Sequence, residues 1–302
     1  MRPLTTCRLR FAALVCALVV VVGATPAAAG SHDVVVFVRW NGTDHDVRSI
    51  YADGSGPEAV LVGAQDIDDV RASPGQTLFV GTDRTGGDGD LIVAELDGTH
   101  LRRLTATAHD DRWPAWSPDG RTLVFVRSSP TGTRLMTIAS DGDGPAQVIW
   151  GGIEAIAPVW SPDGVSIGFT MMEPTSVPGY TVLPQAYAVP ADASAAPARI
   201  LKAHFGCYLG GWLSDGRLVV VRSTATGYGV YVASPGGGDW DRIARQRVSF
   251  DFVPVLTQSE LIIYTSMPNG GHDLELSAVH PDGTGHRQLT ANGAEDHTVP
   301  VS

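Results

Sequence analysis

The segment Pro114-Ala115-Trp116-Ser117-Pro118-Asp119-Gly120 decides the fold, because it returns almost unchanged as Pro158-Val159-Trp160-Ser161-Pro162-Asp163-Gly164. A diverged third copy is Gly211-Trp212-Leu213-Ser214-Asp215-Gly216, and a shorter fourth is Ala72-Ser73-Pro74-Gly75. Segments that recur every 40 to 50 residues or so indicate an array of similar structural units. The chain is therefore predicted to be a repeat protein.

Each copy of this segment precedes a run of β-branched and aromatic residues, which is typical of a β-strand. These second strands are predicted at Leu78 to Thr82, Leu123 to Ser128, Ile167 to Thr170, Leu218 to Ser223 and Leu261 to Ser266. A third strand follows each of them, and Asp53-Gly54, Asp97-Gly98, Asp141-Gly142 and Asp282-Gly283 supply the positive φ angles of tight hairpins to a fourth. Four antiparallel strands per repeat form one blade of a β-propeller.

The two ends of the chain complete the predicted ring. The N-terminal part opens at a second strand, Val34 to Arg39, whereas the tail from Asp296 to Ser302 reads like the first strand that begins at Asp110. We therefore expect the tail to pair beside Val34 to Arg39, which would remove the exposed strand edges of an open sheet. With this composite blade, the sequence predicts an all-β, six-bladed propeller over residues 30–302, its ring closed by the C-terminal strand pairing with the N-terminal blade.

Residues 1–29 read as a secretory signal peptide. Arg2, Arg8 and Arg10 precede an apolar run from Phe11 to Val22, and small residues follow as far as Ala29. The run is too short to cross a bilayer comfortably, so we expect cleavage near Gly30 and no stable membrane span afterwards. A retained N-terminal anchor and a lipoprotein are the alternatives. The expected location is extracellular or on the periplasmic side of the cell envelope.

The net charge narrows the classes of possible binding partner, and the cysteine content bears on disulfides and on thiol catalysis. Removal of the three leader arginines takes the formal net charge from −11 to −14, and such a surface repels nucleic acid and anionic membranes. Cys207 is then the one cysteine of the exported chain, so we expect no intramolecular disulfide. A catalytic role for its thiol is the alternative to a buried small residue.

The repeated Pro-x-Trp-Ser-Pro-Asp-Gly segment, together with the Asp-Gly hairpins, resembles the repeat of bacterial TolB-type β-propellers. The resemblance covers nearly all of the chain after residue 30 and implies the propeller fold. TolB has an additional N-terminal α/β domain that contacts envelope partners, and this sequence offers no room for one between Gly30 and Val34. Prolyl-oligopeptidase relatives carry the same repeat beside a hydrolase domain. We expect neither that domain nor its Gly-x-Ser-x-Gly nucleophile turn here.

The segments that cross from one blade into the next are acidic. In an up-and-down blade they share a rim with the second-to-third loops and lead into the innermost strands around the channel. The candidate binding residues on this rim are Asp68, Asp110, Asp111, Glu154, Asp251, Asp296 and His297. Oxygen-rich sites of this kind suit calcium or magnesium, and Asp111, Asp251 and Asp296 are the candidate ligands of a calcium ion. Hydrogen bonds from backbone amides, or ion pairs with Arg71 and Arg112, are the alternative.

The loop expected between the second and third strands of blade four, Met171 to Pro184, is rich in apolar residues. It overhangs the acidic rim, and Met172 and Tyr180 are its candidate contact residues. A partner-binding flap would explain the apolar content, and so would an insertion that packs on its own blade.

Together these features favour a secreted, non-catalytic propeller that binds a protein, peptide or cell-envelope partner at its acidic channel face. One alternative is a calcium-dependent propeller hydrolase or lyase with its site at the channel mouth. Another is a structural propeller that serves as a scaffold for assembly.

Overall fold

The structure is a computed structural model, and it describes residues 20–22, 33–40, 45–75, 78–130, 132–152, 154–204, 206–224, 227–244, 253–267 and 274–291. Within these ranges the regular elements are strands, arranged as six four-stranded antiparallel sheets. No helix in this part of the chain is long and apolar enough to span a bilayer. The predicted all-β, six-bladed propeller is confirmed.

The strands of the first three blades are β1 (Val20–Val22), β2 (Val34–Trp40), β3 (His45–Tyr51) and β4 (Ala59–Gln65); β5 (Ile67–Ala72), β6 (Leu78–Asp83), β7 (Asp90–Glu95) and β8 (Arg102–Arg103); and β9 (Asp110–Trp116), β10 (Thr122–Ser129), β11 (Gly132–Ala139) and β12 (Gln147–Gly151). Those of the last three are β13 (Ala155–Trp160), β14 (Ser166–Pro174), β15 (Val182–Pro190) and β16 (Ala198–Arg199); β17 (Cys207–Trp212), β18 (Leu218–Thr224), β19 (Gly227–Ala233) and β20 (Trp240–Arg242); and β21 (Val255–Leu256), β22 (Ile262–Ser266), β23 (Glu275–Val279) and β24 (Arg287–Gln288).

The second strand of each blade is apolar on both faces because neighbouring blades cover both. Phe125 in β10 and Phe169 in β14 occupy equivalent positions and are fully buried. The residues beside Phe125 in β10, Val124 and Val126, are also fully buried. A strand packed on both faces has a continuous hydrophobic sequence, which is why these segments could be predicted as strands.

The repeated motif forms a tight turn between the first and second strands. The Ser117 hydroxyl donates to Oδ1 of Asp119 at 2.6 Å, and Ser161 donates to Asp163 at the same distance in the next blade. Gly120 closes the first of these turns with a φ of 71°, which glycine adopts without steric cost. The Ser-Pro-Asp-Gly sequence is therefore explained by local turn chemistry.

The edge of β2 is occupied differently from the expectation. β1, from the apolar run of the predicted leader, pairs with β2 in antiparallel register from Val20↔Val36 to Val22↔Val34. The tail that was expected at this edge, residues 296–302, lies outside the described residues. The physical reason is that β2 would otherwise present unpaired N–H and C=O groups at this edge, and an extended segment within reach can pair with them. In this structure β1, from the predicted leader, is the fourth strand of the blade-one sheet, whose order is β1-β2-β3-β4.

The segment from Met171 to Pro184 is mostly strand, so the loop prediction was wrong in its extent. Pairing continues from Met171↔Gln185 to Pro174↔Val182, and the connecting turn is limited to residues 175–181. Both β14 and β15 have nine residues, the longest strands in the described chain. Prolines suggested a loop, but proline is tolerated near the ends of strand pairs where its missing N–H is not needed. Blade four therefore carries an extended β-hairpin.

Candidate partner-binding face

The innermost strands begin on one rim of the propeller, here called the channel face, which they share with the second-to-third turns. Near the start of β5, β9 and β13 the register with the second strand shifts by a bulge. At equivalent positions in these bulges, Asp69, Trp113 and Ala157 have φ angles of 51°, 52° and 48°. Positive φ is uncommon for residues other than glycine, and a bulge redirects the side chains beside it.

Arg84 connects two of the predicted acids across neighbouring blades. Its Nε donates to Oδ2 of Asp68 at 2.9 Å, and its Nη2 lies 3.5 Å from Oδ1 of Asp110. The same Asp110 oxygen accepts the Gly89 N–H at 2.9 Å, while its other oxygen lies 3.8 Å from Nε of Arg112. Asp110 therefore has a backbone N–H and Arg112 as partners, as the alternative to a metal site predicted. Arg84 is a further cation that the sequence had not indicated.

Asp68 and Asp69 form a buried pair of carboxyls. Burial raises the pKa of Asp68 to about 8, and the neighbouring Asp69 carboxyl adds to the rise, while Arg84 and Arg112 oppose it. Burial also raises the pKa of Asp69, although its Oδ2 accepts the Trp113 N–H at 3.3 Å. Two desolvated neighbouring carboxyls do not both ionise readily. We therefore expect this pair to hold a proton near neutral pH.

Asp111 is fully buried and faces Arg127 across the β9–β10 ladder. Nε and Nη2 of Arg127 lie 2.6 Å and 2.7 Å from the two carboxylate oxygens, which is a bidentate ion pair. A cation at Asp111 would have to compete with this guanidinium. The other predicted ligands, Asp251 and Asp296, and the predicted contact residue His297 lie outside the described residues.

Metal-binding side chains do not converge within the described part of the chain. No group of three or more His, Cys, Asp or Glu side chains there could hold a metal ion. The calcium hypothesis therefore depends on Asp251 and Asp296 as much as on Asp111.

The blade-four hairpin places Glu154, Met172 and Tyr180 on the same side of the propeller. Glu154 is exposed, and its carbonyl oxygen accepts the Met172 N–H at 3.3 Å. Met172 is half-buried within β14, so its side chain contributes to the base of the hairpin. Tyr180 lies in the hairpin turn with 51% of its surface exposed. Of these three predicted contact residues, Tyr180 is the most accessible large side chain.

Arg84 and Arg127 are partners of the acids that were not predicted from the sequence. The predicted partners were Arg71 and Arg112, which lie in the same strands as the acids. Cross-strand register could have identified Arg127 as a partner, because Arg127 is directly opposite Asp111 in the β9–β10 pair. Directly opposed residues in an antiparallel pair are close enough for ion pairing.

Cys207 is fully buried, and burial raises the pKa of its thiol to about 11. A thiol with this pKa is protonated at neutral pH and is a poor nucleophile.

The expectation that the chain lacks a Gly-x-Ser-x-Gly pentapeptide was wrong, because Gly164-Val165-Ser166-Ile167-Gly168 matches it. Ser166 begins β14, and its N–H donates to Oγ of Ser161 at 2.9 Å. The nucleophile of a Gly-x-Ser-x-Gly hydrolase stands at a strand-to-helix turn. Ser166 instead stands at the start of a blade strand, so the match lacks the structural context of a nucleophile turn.

The opposite rim contains an axial cavity of about 230 Å³. The recurrent Trp116, Trp160 and Trp212 line it together with prolines of the repeated turns. Trp116 is buried and donates its indole N–H to the carbonyl oxygen of Arg71 at 3.0 Å. The tryptophans therefore contribute both to blade packing and to the wall of this cavity.

Comparisons with known proteins give a likeness of fold. No protein-family model matches the chain, and no curated protein matches it. Among solved structures, TolB from Acinetobacter baumannii is 17% identical with a TM-score of 0.71, the match covering 87% of this chain and 64% of that one. The chain thus spans less than two thirds of that TolB.

Enzymes also occur among the similar structures. A puromycin-hydrolyzing peptidase of Mycobacterium tuberculosis is 20% identical with a TM-score of 0.58, over 88% of this chain and 43% of that one. Oligogalacturonate lyase from Vibrio parahaemolyticus is 12% identical with a TM-score of 0.56, over 91% of this chain and 86% of that one. At these identities the chain is shown to share the propeller fold of structures that include TolB, in agreement with the resemblance of its repeats.

Proposed function

We propose that the exported chain is a non-catalytic binding propeller whose channel face contacts a protein, peptide or cell-envelope partner. The observation that carries this proposal is the blade-four hairpin, which is longer than the other described strand pairs and has the half-exposed Tyr180 in its turn. Exposed aromatic side chains on ordered surface elements are typical anchors of protein interfaces. Tyr180 and Met172 are the proposed apolar contacts.

The acids of the channel face are proposed to surround this contact. Asp110 and Glu154 are partly or fully accessible, whereas Asp68 and Asp111 are buried and hold Arg84 and Arg127 in place. Asp251, Asp296 and His297 are proposed to complete the rim from the remaining blades. Rim charges of this kind set the rate and the orientation of association more than its affinity.

The leader motif supports an envelope-side or extracellular location for this interaction. The buried Cys207 thiol and the Asp111 carboxylate paired with Arg127 support binding rather than catalysis, because the thiol is not an activated nucleophile and the carboxylate is not a free base. The enzymatic alternative requires a bound cation. Elemental analysis of chelator-treated and then calcium-reloaded protein separates the two, because a stoichiometric metal that restores a hydrolase or lyase activity would favour the alternative.

The proposal is tested by partner retention from a cell-envelope extract on immobilised exported protein. Tyr180→Ala and Asp110→Asn are compared with Val165→Ala, which changes a residue with 63% of its surface exposed on the opposite rim. We expect Tyr180→Ala to abolish retention, Asp110→Asn to weaken it and Val165→Ala to leave it unchanged. Equal retention by all three variants would contradict the proposal.

A further inference from the structure

A second recess lies at the base of the blade-four hairpin and is here called the base groove. One wall is the hairpin segment from Glu173 to Val177, and the other is the crossing segment from Lys202 to His204, with Arg199 between them. Leu183 and Gln185 line it as well, and its volume is about 510 Å³. Its lining includes three basic residues and one acid, the reverse of the balance in the whole chain.

The acid of the base groove is already neutralised. Glu173 accepts hydrogen bonds from the Tyr187 hydroxyl and from Nη2 of Arg199. Lys202 is the one lysine of the sequence, and its exposed ammonium group has no ion pair with any residue that the structure describes. The groove therefore presents a cation without a counter-charge, in a protein whose formal net charge is −11. An anionic ligand would be attracted here, although most of the surface would repel it.

Gln185 adds a second and independent feature. Its side chain is 4% exposed, and its Nε2 donates to the carbonyl oxygen of Ala203 at 3.3 Å. Its Oε1 receives no hydrogen bond from any described residue, and a buried acceptor in this state costs free energy. The groove lining thus contains an unfilled acceptor as well as an unpaired cation.

We propose that the base groove binds the free C-terminal carboxylate of a peptide chain that ends in an apolar residue. The carboxylate pairs with Lys202, while Arg199 stays paired with Glu173. On binding, the Gln185 side chain turns toward the groove, and its Oε1 accepts the last peptide N–H. The terminal side chain packs against Val177 and Leu183, which also line the groove.

The combination of groups favours a carboxylate terminus over a phosphate. The dianion of a phosphomonoester has no donor for Oε1 of Gln185 and would place further acceptor oxygens beside it. A peptide terminus carries an amide donor one residue's length from its anionic group, so it satisfies the acceptor and the cation together. This inference deepens the proposed function and rests on it, because it names the chemical feature of the partner that lies beneath the hairpin.

The test uses acetyl-Gly-Gly-Leu as the free acid and as the C-terminal amide, titrated into exported protein at low salt with calorimetric or NMR detection. We expect the acid to bind at least about five-fold more tightly than the amide, because only the acid pairs with Lys202. Lys202→Met should bring the two affinities within about two-fold, and Lys202→Arg should keep the preference. Arg121→Met is the matched control, because it removes an exposed cation from the opposite rim.

Three results would overturn the inference: no saturable binding of the free acid, equal affinity for acid and amide, or an unchanged preference in Lys202→Met. Its failure is distinguishable from failure of the proposed function. If Tyr180→Ala abolishes partner retention while the peptide acid and amide bind equally, the binding face stands and the groove assignment fails. If the acid binds as expected but Tyr180→Ala retains the partner fully, the groove stands and the proposed contact surface fails.

Discussion

Nε of Arg84 lies 2.9 Å from Oδ2 of Asp68, and Nη2 of the same arginine lies 3.5 Å from Asp110, so Arg84 connects blades two and three. The Asp68 carboxyl is 2% exposed and has Asp69 as its neighbour, so one guanidinium does not offset the cost of its burial. The consequence is a carboxyl that keeps its proton in the folded protein at a pH where most aspartates have lost it.

The raised pKa of Asp68 predicts a specific dependence of stability on pH. Folded Asp68 releases its proton near pH 8, whereas the ordinary value is 3.8. Between these values the folded state holds more protons than the unfolded state, so the free energy of unfolding falls as pH rises. The contribution is fully present below the unfolded pKa and is lost as pH rises through the folded pKa. Urea unfolding at pH 5 and pH 8 should show a loss of about 1 kcal/mol or more at the higher pH.

Asp68→Asn should reduce the slope of this profile, because the amide does not titrate, whereas Asp69, whose pKa burial also raises, still does. Asp215→Asn is the control: Asp215 is half-exposed, and hydrogen bonds from Arg217 lower its pKa, so it titrates below this pH range. Parallel profiles for wild type and Asp68→Asn would show that Asp68 does not carry the effect.

Gly168 allows blade five to pack directly on blade four. A Cβ atom built at Gly168 would lie 2.1 Å from Cη2 of Trp212, well inside van der Waals contact. Gly168→Ala must therefore displace a tryptophan of the repeated motif, and we expect a loss of about 2 kcal/mol in the free energy of unfolding. Gly86→Ala, at an exposed glycine with no atom within 4 Å of the added Cβ, should change it by less than about 0.5 kcal/mol. Equal effects of the two substitutions in denaturant unfolding would refute this packing.

Two tryptophans of the same motif differ in their hydrogen bonds. The Trp116 indole donates to the carbonyl oxygen of Arg71 at 3.0 Å, whereas the buried Nε1 of Trp160 has no partner among the described residues. Trp116→Phe should therefore cost about 1 kcal/mol more than Trp160→Phe in the free energy of unfolding. Chemical denaturation of both variants measures the difference. A larger loss for Trp160→Phe would count against the inter-blade bond.

Ring closure by the tail remains a prediction, and the exported protein tests it. Once residues 1–29 are removed, β1 is no longer available to pair with β2. We then expect the tail to occupy this edge, so truncation after Ala294 should lower the melting temperature by several degrees, at about 2–4 °C per kcal/mol for a chain of this size class. A control truncation after Val301 removes one residue and should have little effect. If both chains melt at the same temperature, the tail does not close the ring.

The repeat made the fold predictable from sequence, because its turn chemistry is local. Ser117, Asp119 and Gly120 interact within one turn, so their spacing indicates the turn without knowledge of the rest of the chain. Blade four shows the limit of this reasoning. Pro174 and Pro184 suggested a loop, but pairing with Val182 and Met172 extends both strands through them.

The candidate site was less predictable because it depends on which side chains meet across strands and blades. The acids Asp68, Asp110 and Asp111 were found from their positions before the inner strands. Their partners Arg84 and Arg127 lie 16 residues from Asp68 and Asp111 and required the register of each blade. The base groove joins Glu173 to Arg199 and Lys202, which no motif connects.

The claim that the blade-four hairpin is the contact surface is tested most directly by site-specific photo-crosslinking in cell-envelope extract. A photoreactive phenylalanine derivative replaces Tyr180 in one protein and Val165, on the opposite rim, in another. We expect the protein modified at position 180 to form one defined crosslinked adduct that unmodified protein in excess competes away, and the protein modified at position 165 to form none. An adduct at position 165 with none at position 180 would contradict the account.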